Sequence, residues 1–314
     1  MDKNSYTKIA YYYYILGYTQ DEIARRMSLT RQRVNHIIKS LVDLDIVSIN
    51  IHGYEHNSVN LECQLEQKYG LTRVLIADDY GEAETALYKV ANVASQYLDS
   101  ILQKGDVIGI SWGRTLEQVV KQLPYRKREG CKVVQLMGAY NIERDGEKSD
   151  ELVRNLANRL ECSGHIFYAP LVVEHPETKE WLMKEKGIQS SFGLMRQCNL
   201  ALVGVGSISE EATMYLRGNY TKEDLRALRA DGFVADLVMN LIRGDGSWDH
   251  CAMRERIMSA DIQCLKEIDN TVLIACGEEK VDAIKASLLT GCINTLITDR
   301  YTASQILESE KTDL

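Results

Sequence analysis

The sequence predicts a small all-α head followed by an α/β body on a largely parallel sheet, and three observations carry that prediction. Within residues 19–41, TQDEIARRMSLTRQRVNHIIKSL, apolar side chains recur at helical period on both sides of a short polar break. From residue 73 onward, short apolar runs alternate with longer amphipathic stretches of helical period. Glycines stand where several of those runs end, as at Gly109, Gly113, Gly204, Gly206 and Gly277. A chain of 314 residues has room for about two domains. The expected division is residues 1–53 for the head and 54–314 for the body.

In the head, a first helix is expected over residues 3–16, stopped by Gly17. The run Tyr11–Tyr14 circles that helix, so only about two of its rings can pack inward. Thr19 and Glu22 form a T-x-x-E capping box, which starts the next helix at Gln20. Ile23, Ala24 and Met27 give it an apolar face, and Ala24 is small enough to let another helix cross closely. Ser28-Leu29 makes the turn, and Thr30 caps a further helix. Val34, Ile37, Ile38 and Leu41 then face inward, leaving Arg31, Gln32, Arg33, Asn35, His36 and Lys39 on the other side. An ordinary helical hairpin with a solvated charged face is the plainer alternative. The small residue, the polar turn and the apolar positions all fall at helix-turn-helix spacing, which favours a reader of DNA. The exposed face suits a major groove: Arg can pair with guanine, Gln or Asn with adenine, and Lys with phosphate. Ile46–Ile51 alternates apolar and polar residues like a strand and would add a small wing, and Gly53–Asn57 reads as a linker.

In the body, Leu61 and Leu65 mark a helix ending near Tyr69-Gly70. Strands are expected over 73–77, 106–111, 132–137, 165–169, 200–205, 271–275 and 295–298. The helices between them fall at 82–102, 115–123, 150–160, 178–198, 222–229 and 278–289, and Val90, Val93, Tyr97 and Ile101 should face inward on the first. This alternation points to a Rossmann-like arrangement, in which ligands sit beyond the carboxyl ends of strands.

Composition narrows the function classes. Apolar residues make up 45% of the chain and prolines number three, so a full core can form. The net charge of −8 argues against nucleic acid only if averaged over the whole chain. Residues 1–52 carry seven Lys/Arg against five Asp/Glu, a net +2; residues 53–314 carry 30 against 40, a net −10. The basic side chains therefore concentrate on the head. No apolar run approaches the ~20 residues of a membrane span, and the Tyr-rich N-terminus is unlike a signal peptide, so a cytoplasmic protein is expected. None of the eight cysteines forms a C-x-x-C pair, which fits reduced thiols better than zinc or disulfides. His52 and His56 are interrupted by Gly53, so no metal site is expected.

Three glycine-bearing loops fall at the predicted ligand edge: Gly109–Thr115, Gly204–Ser207 and Ala275–Lys280. In the first, helix amides with the hydroxyls of Ser111 and Thr115 suit an anion such as phosphate. It has neither the Walker A pattern nor the spacing of a dinucleotide site. Each glycine alone is most simply a tight turn; three at one edge favour a small-molecule pocket.

GISWGRTL (109–116), VVQLMGAY (133–140), VGVGSI (203–208), GFVADL (232–237) and IACGEEKVDAI (274–284), behind the helix-turn-helix, resemble the SorC family of sugar-responsive bacterial transcriptional regulators. The resemblance covers nearly the whole chain, and G-x-S-W-G-x-T is its most specific motif. It implies a DNA-binding domain and an effector domain similar to ribose-5-phosphate isomerase and glucosamine-6-phosphate deaminase. It also implies a sugar or phosphorylated sugar as effector, no cofactor, and homo-oligomers, tetramers built as dimers of dimers, on operator DNA. By motif, Ser111, Trp112, Gly113, Arg114 and Thr115 correspond to a ligand-phosphate loop, Gln135 and Gly138 to its neighbour, and Gly206 and Ser207 to a pocket floor. Asp236 corresponds to the acid that meets sugar hydroxyls, and Lys280 to the cation that meets phosphate or carbonyl oxygen. The chain departs from the family's frequent Gly-Gly at Gly138-Ala139 and at Cys276-Gly277, where an added side chain would narrow the pocket.

The alternative is a sugar-phosphate isomerase or deaminase with an appended head, Asp236 acting as base and Lys280 as electrophile. No second acid or histidine is clearly placed beside Asp236, so a non-enzymatic regulator is the expectation.

Overall fold

The structure, a computed structural model, describes residues 2–49, 58–77, 83–139, 149–210, 212, 215, 221–249 and 251–308. The chain divides into two units, Met1–His56 and Asn57–Leu314.

In the first unit, the Asp2 carboxylate accepts the Ser5 N–H at 3.0 Å and starts α1 (Lys3–Ala10). The helix expected to run to 16 then changes its winding: Tyr11–Ile15 is a π-helical turn, closed by Leu16 N–H on Tyr11 O. Tyr12 and Tyr13 pack partly against the core, while Tyr11 and Tyr14 stay exposed. The Thr19–Glu22 capping box forms in both directions and starts α2 (Gln20–Met27). Ser28, at φ +50°, makes the left-handed turn, and Thr30 Oγ1 accepts the Arg33 N–H at 3.2 Å to start α3 (Arg31–Ser40). Ile9, Ile23, Ala24, Val34, Ile37, Ile38 and Leu41 form the core between these helices. The expected wing strand is corrected over 46–49, which adopt no strand. The amides of Ile46 and Val47 both donate to Leu41 O, and their side chains cover the helical core instead of alternating across a sheet. Asn50, Ile51 and the linker 53–57 lie outside the described residues.

The second unit opens with α4 (Val59–Tyr69), ended by Gly70 at φ +66°, and continues with β1 (Arg73–Ala77) and α5 (Ala83–Ile101). Next come β2 (Val107–Ile110), α6 (Arg114–Gln122), β3 (Lys132–Gln135), α7 (Ser149–Leu160) and β4 (Ser163–His165). After α8 (Pro176–Leu182) and α9 (Lys186–Met195) the chain forms β5 (Leu200–Val203). A second sheet then begins with β6 (Val205–Ser207) and, past α10 (Lys222–Ala230), ends in the hairpin β7 (Phe233–Leu237) and β8 (Asn240–Arg243). The chain closes with α11 (Ile262–Lys266), β9 (Asn270–Ile274), a 3-10 turn at Glu278–Lys280, α12 (Val281–Leu289), β10 (Thr295–Asp299) and α13 (Arg300–Glu308).

The main sheet has seven strands in the order β1-β10-β9-β5-β2-β3-β4, all parallel. Val90, Ala94 and Leu98 of α5, with α6 and α7, cover one face; α4, α12, α13 and the antiparallel sheet β6-β7-β8 cover the other. On α5 the fully buried stripe is Val90, Ala91, Ala94 and Leu98, whereas Val93, Tyr97 and Ile101 are only partly buried. From β2 the chain winds through β3 to β4; from β5 it winds the opposite way through β9 to β10. Adjacent strands β2 and β5 therefore form a topological switch point, the place beyond whose carboxyl ends open α/β sheets bind their ligands.

Two expected strands shift. Residues 165–169 were expected as a strand, but β4 ends at His165, because the Gln135 side chain, at 3.2 Å, takes the Phe167 N–H that a ladder would use. Residues 200–205 split between two sheets at Gly204.

Candidate functional site

The ladder between β2 and β5 runs on to Ser111, whose N–H donates to Leu202 O at 3.0 Å. Its hydroxyl accepts the Gly204 N–H at 3.3 Å, tying together the two loops that leave the switch point. Gly113, at φ +140°, stands at the N-cap of α6, a conformation closed to side-chain-bearing residues. Among the described residues no side chain caps this nine-residue helix, and its first-turn amides and positive dipole end suit an anion. Arg114 is exposed on that turn, Thr115 is buried, and Trp112 packs partly against the core. A Cβ on Gly204 would stand 4.0 Å from both Trp112 O and Ile274 O, so the ends of β2, β5 and β9 converge there.

Lys280 ends the 3-10 turn after β9. Burial holds its ammonium below the usual lysine range; Cys276 and Glu279 oppose that effect, and Arg114 adds to it. Lys280 and Arg114, read separately from sequence, are thus electrostatic neighbours. Gly206 pairs in register with Asp236 across β6 and β7, and the 3-10 turn packs against β6. Ser207 on the same strand shares a 3.0 Å hydroxyl contact with Ser209.

Asp236 is 8% exposed and accepts the Met239 N–H at 2.8 Å. Burial pushes its carboxyl up to about 7, with the Met239 N–H pulling the other way. The turn it braces, Val238–Met239, has φ +52° and +63°, left-handed values that are strained for a β-branched valine. Asn240 holds this turn: its Nδ2 donates to Leu237 O, Val238 O and Ala260 O at 3.0–3.2 Å. Sequence reading missed Asn240, because a two-residue hairpin turn without Gly, Asn or Asp sends no turn signal. It also missed Thr302, whose hydroxyl accepts the Gly277 N–H at 3.0 Å and donates to buried Asp299. The D-x-x-T spacing of Asp299 and Thr302 was the available clue.

Gln135 ends β3 in register with Ile110 of β2, and Gly138 follows three residues later. Gln135 is buried against Phe167, and Gly138 donates to Met258 O at 2.8 Å. A Cβ on Gly138 would come within 2.7 Å of Ala169 O and Pro170 O, so the backbones meet where only glycine fits. Gly138→Ala is expected to cost about 1–3 kcal/mol of stability, read by urea unfolding; an unchanged midpoint would contradict this packing role.

On α3, Arg31, Gln32, Arg33, His36 and Lys39 are exposed and Asn35 is partly so. Gln20 Nε2 donates to Asn35 Oδ1 at 3.3 Å, and Arg31 lies 3.8 Å from Asp21 in an exposed ion pair of little energetic weight. Among the described residues no group of His, Cys, Asp and Glu could hold a metal, and no helix is long and apolar enough to cross a membrane. His52 and His56 lie outside the described residues.

A helical unit with a basic exposed helix, together with an α/β unit whose strand ends converge at a topological switch point, defines the class of a DNA reader joined to a small-molecule sensor. The family described as "Putative sugar-binding domain" matches residues 55–308. The sorbitol operon regulator of Klebsiella pneumoniae is 28% identical, over 96% of this chain and 96% of that protein. The deoxyribonucleoside regulator of Bacillus subtilis is 25% identical, over 94% of each chain. The crystal structure of full-length SorC from K. pneumoniae superimposes with a TM-score of 0.74 at 28% identity, covering 98% of this chain and 99% of that one. The chain belongs to the SorC family of sugar-binding transcriptional regulators.

Proposed function

We propose that this chain grips operator DNA through Thr30–Lys39 and that a phosphorylated sugar in the switch-point cleft controls the grip. The observation that carries the second half is the convergence of three strand ends on an uncapped helix N-terminus beside Arg114 and Lys280. Phosphate fits the amides of Gly113–Thr115 with Arg114; Asp236 accepts sugar hydroxyls; Lys280 meets a carbonyl or phosphate oxygen. Relatives named for deoxyribonucleosides and sorbitol support a polyhydroxylated effector. The likeness of the body to ribose-5-phosphate isomerase and glucosamine-6-phosphate deaminase, the tetrameric dimer of dimers and the cytoplasmic location belong to this same reading. Binding without turnover is favoured because, among the described residues, Asp236 is hydrogen-bonded by a backbone amide rather than by an acid or histidine.

The test is a thermal-shift panel of sugar phosphates and free sugars on the full chain. A compound at about 100 times its dissociation constant adds ~2.7 kcal/mol of stability, and Arg114→Ala should shrink the shift for phosphorylated compounds. No shift with any phosphorylated compound would contradict the anion-loop reading.

A further inference from the structure

The turn after β9 has the opposite electrostatic character to the loop after β2. Its glycine amide is already used, since Gly277 N–H donates to Thr302 Oγ1. Lys280 N–H bends back to Gly277 O at 3.1 Å. The open face of Gly277, at φ +112°, is filled by the chain itself: a Cβ there would stand 2.6 and 2.7 Å from the two carboxylate oxygens of Glu279. Glu278 bonds the Tyr301 hydroxyl and, with Asp299, raises its pKa. Three carboxylates, Glu278, Glu279 and Asp299, therefore border this turn, and Glu279 already counters the charge of Lys280.

We propose that Glu279 makes the cleft selective for a sugar carrying one phosphate, seated on the Gly113–Thr115 loop, and turns away bisphosphates. This rests on the sugar-phosphate reading above. Lys280 interacts with both Arg114 and Glu279, and the ends of β2 and β9 approach one another at Gly204, so the turn after β9 borders the same cleft as the Gly113–Thr115 loop. A second phosphate at the far end would lie against the Glu279 carboxylate with no Gly277 amide to compensate. Like charges in contact near a protein surface repel strongly. A hydroxyl there meets no such penalty and donates to the same carboxylate.

Calorimetric titration of the full chain with paired compounds tests this: fructose 6-phosphate against fructose 1,6-bisphosphate, ribulose 5-phosphate against ribulose 1,5-bisphosphate, and glucose 6-phosphate against glucose 1,6-bisphosphate. In each pair whose monophosphate binds, the bisphosphate should bind at least about tenfold more weakly. Glu279→Gln should close most of that gap, tightening the bisphosphate while the monophosphate, losing a charged acceptor for its hydroxyl, binds no tighter than before; the side chain is exposed, so the variant should fold. A bisphosphate that binds the unmodified chain as tightly as its monophosphate overturns the selectivity and leaves the sugar-phosphate reading standing. A gap that survives Glu279→Gln removes Glu279 as its cause. If no member of any pair binds, the sugar-phosphate reading fails and the selectivity falls with it.

Discussion

Replacing Arg31 and Arg33 together with alanine should weaken operator binding by at least ~2 kcal/mol, roughly thirtyfold. Each bidentate Arg–guanine pair is worth about 1–3 kcal/mol of discrimination, and each arginine on phosphate instead would lower the salt slope by about one. Both side chains are exposed on the first turn of α3, and the helix core of Val34, Ile37, Ile38 and Leu41 is untouched. Alanine is the best helix former, so the head should keep its fold. Operator fragments selected from genomic DNA by the full chain supply the probe, and titrations across salt concentrations separate base reading from phosphate contact. The thermal shift given by sugar phosphates should be unchanged. Unaltered operator affinity in the double variant would remove this face as the reader.

Asp236→Asn should abolish a fall in stability that the unmodified chain shows as pH rises from about 4 to about 7. The carboxyl is raised in the folded state from 3.8 to about 7, so the folded form holds its proton over that window while the unfolded form has lost it. The unfolded form therefore binds fewer protons there, and stability declines with rising pH until the folded carboxyl also ionises. At about 1.4 kcal/mol per pH unit the loss has an upper bound of ~4 kcal/mol. Asparagine keeps an oxygen for the Met239 N–H and carries no charge to bury. The variant should be the more stable protein above pH 7, read as the difference between two urea series. Its affinity for sugar phosphate should be lower and flat with pH, whereas the unmodified chain should tighten as Asp236 ionises and accepts ligand hydroxyls. Parallel stability curves for the two proteins would show that burial does not hold the proton on Asp236.

How much of this was legible follows from the range of the interactions. The caps at Thr19 and Thr30 were readable because a cap and the amides it satisfies lie within three residues. The convergence of Ser111, Gly204 and Gly277 was readable in outline, since apolar runs ending in glycine locate strand ends. It took the strand order to show that β5 sits between β2 and β9. What failed depended on distant partners. Over 46–49 no wing strand forms, with Leu41 O taking the Ile46 and Val47 amides, and β4 stopped early because a glutamine side chain 32 residues away takes an amide. The sheet β6-β7-β8 escaped notice because its hairpin turns on Val238-Met239, a left-handed pair that Asn240 and Asp236 brace with hydrogen bonds. The close approach of Ala169 O and Pro170 O to Gly138 likewise depends on a segment about 30 residues away and leaves no mark in the local sequence.

The most direct test measures operator affinity of the full chain, by fluorescence anisotropy, with and without a saturating sugar phosphate identified by thermal shift. Coupling of ~1–3 kcal/mol, a change of about five- to 150-fold, is expected, and it should vanish in Arg114→Ala while the effector-free operator affinity stays the same. Operator binding that is indifferent to every sugar phosphate the body binds would contradict the account.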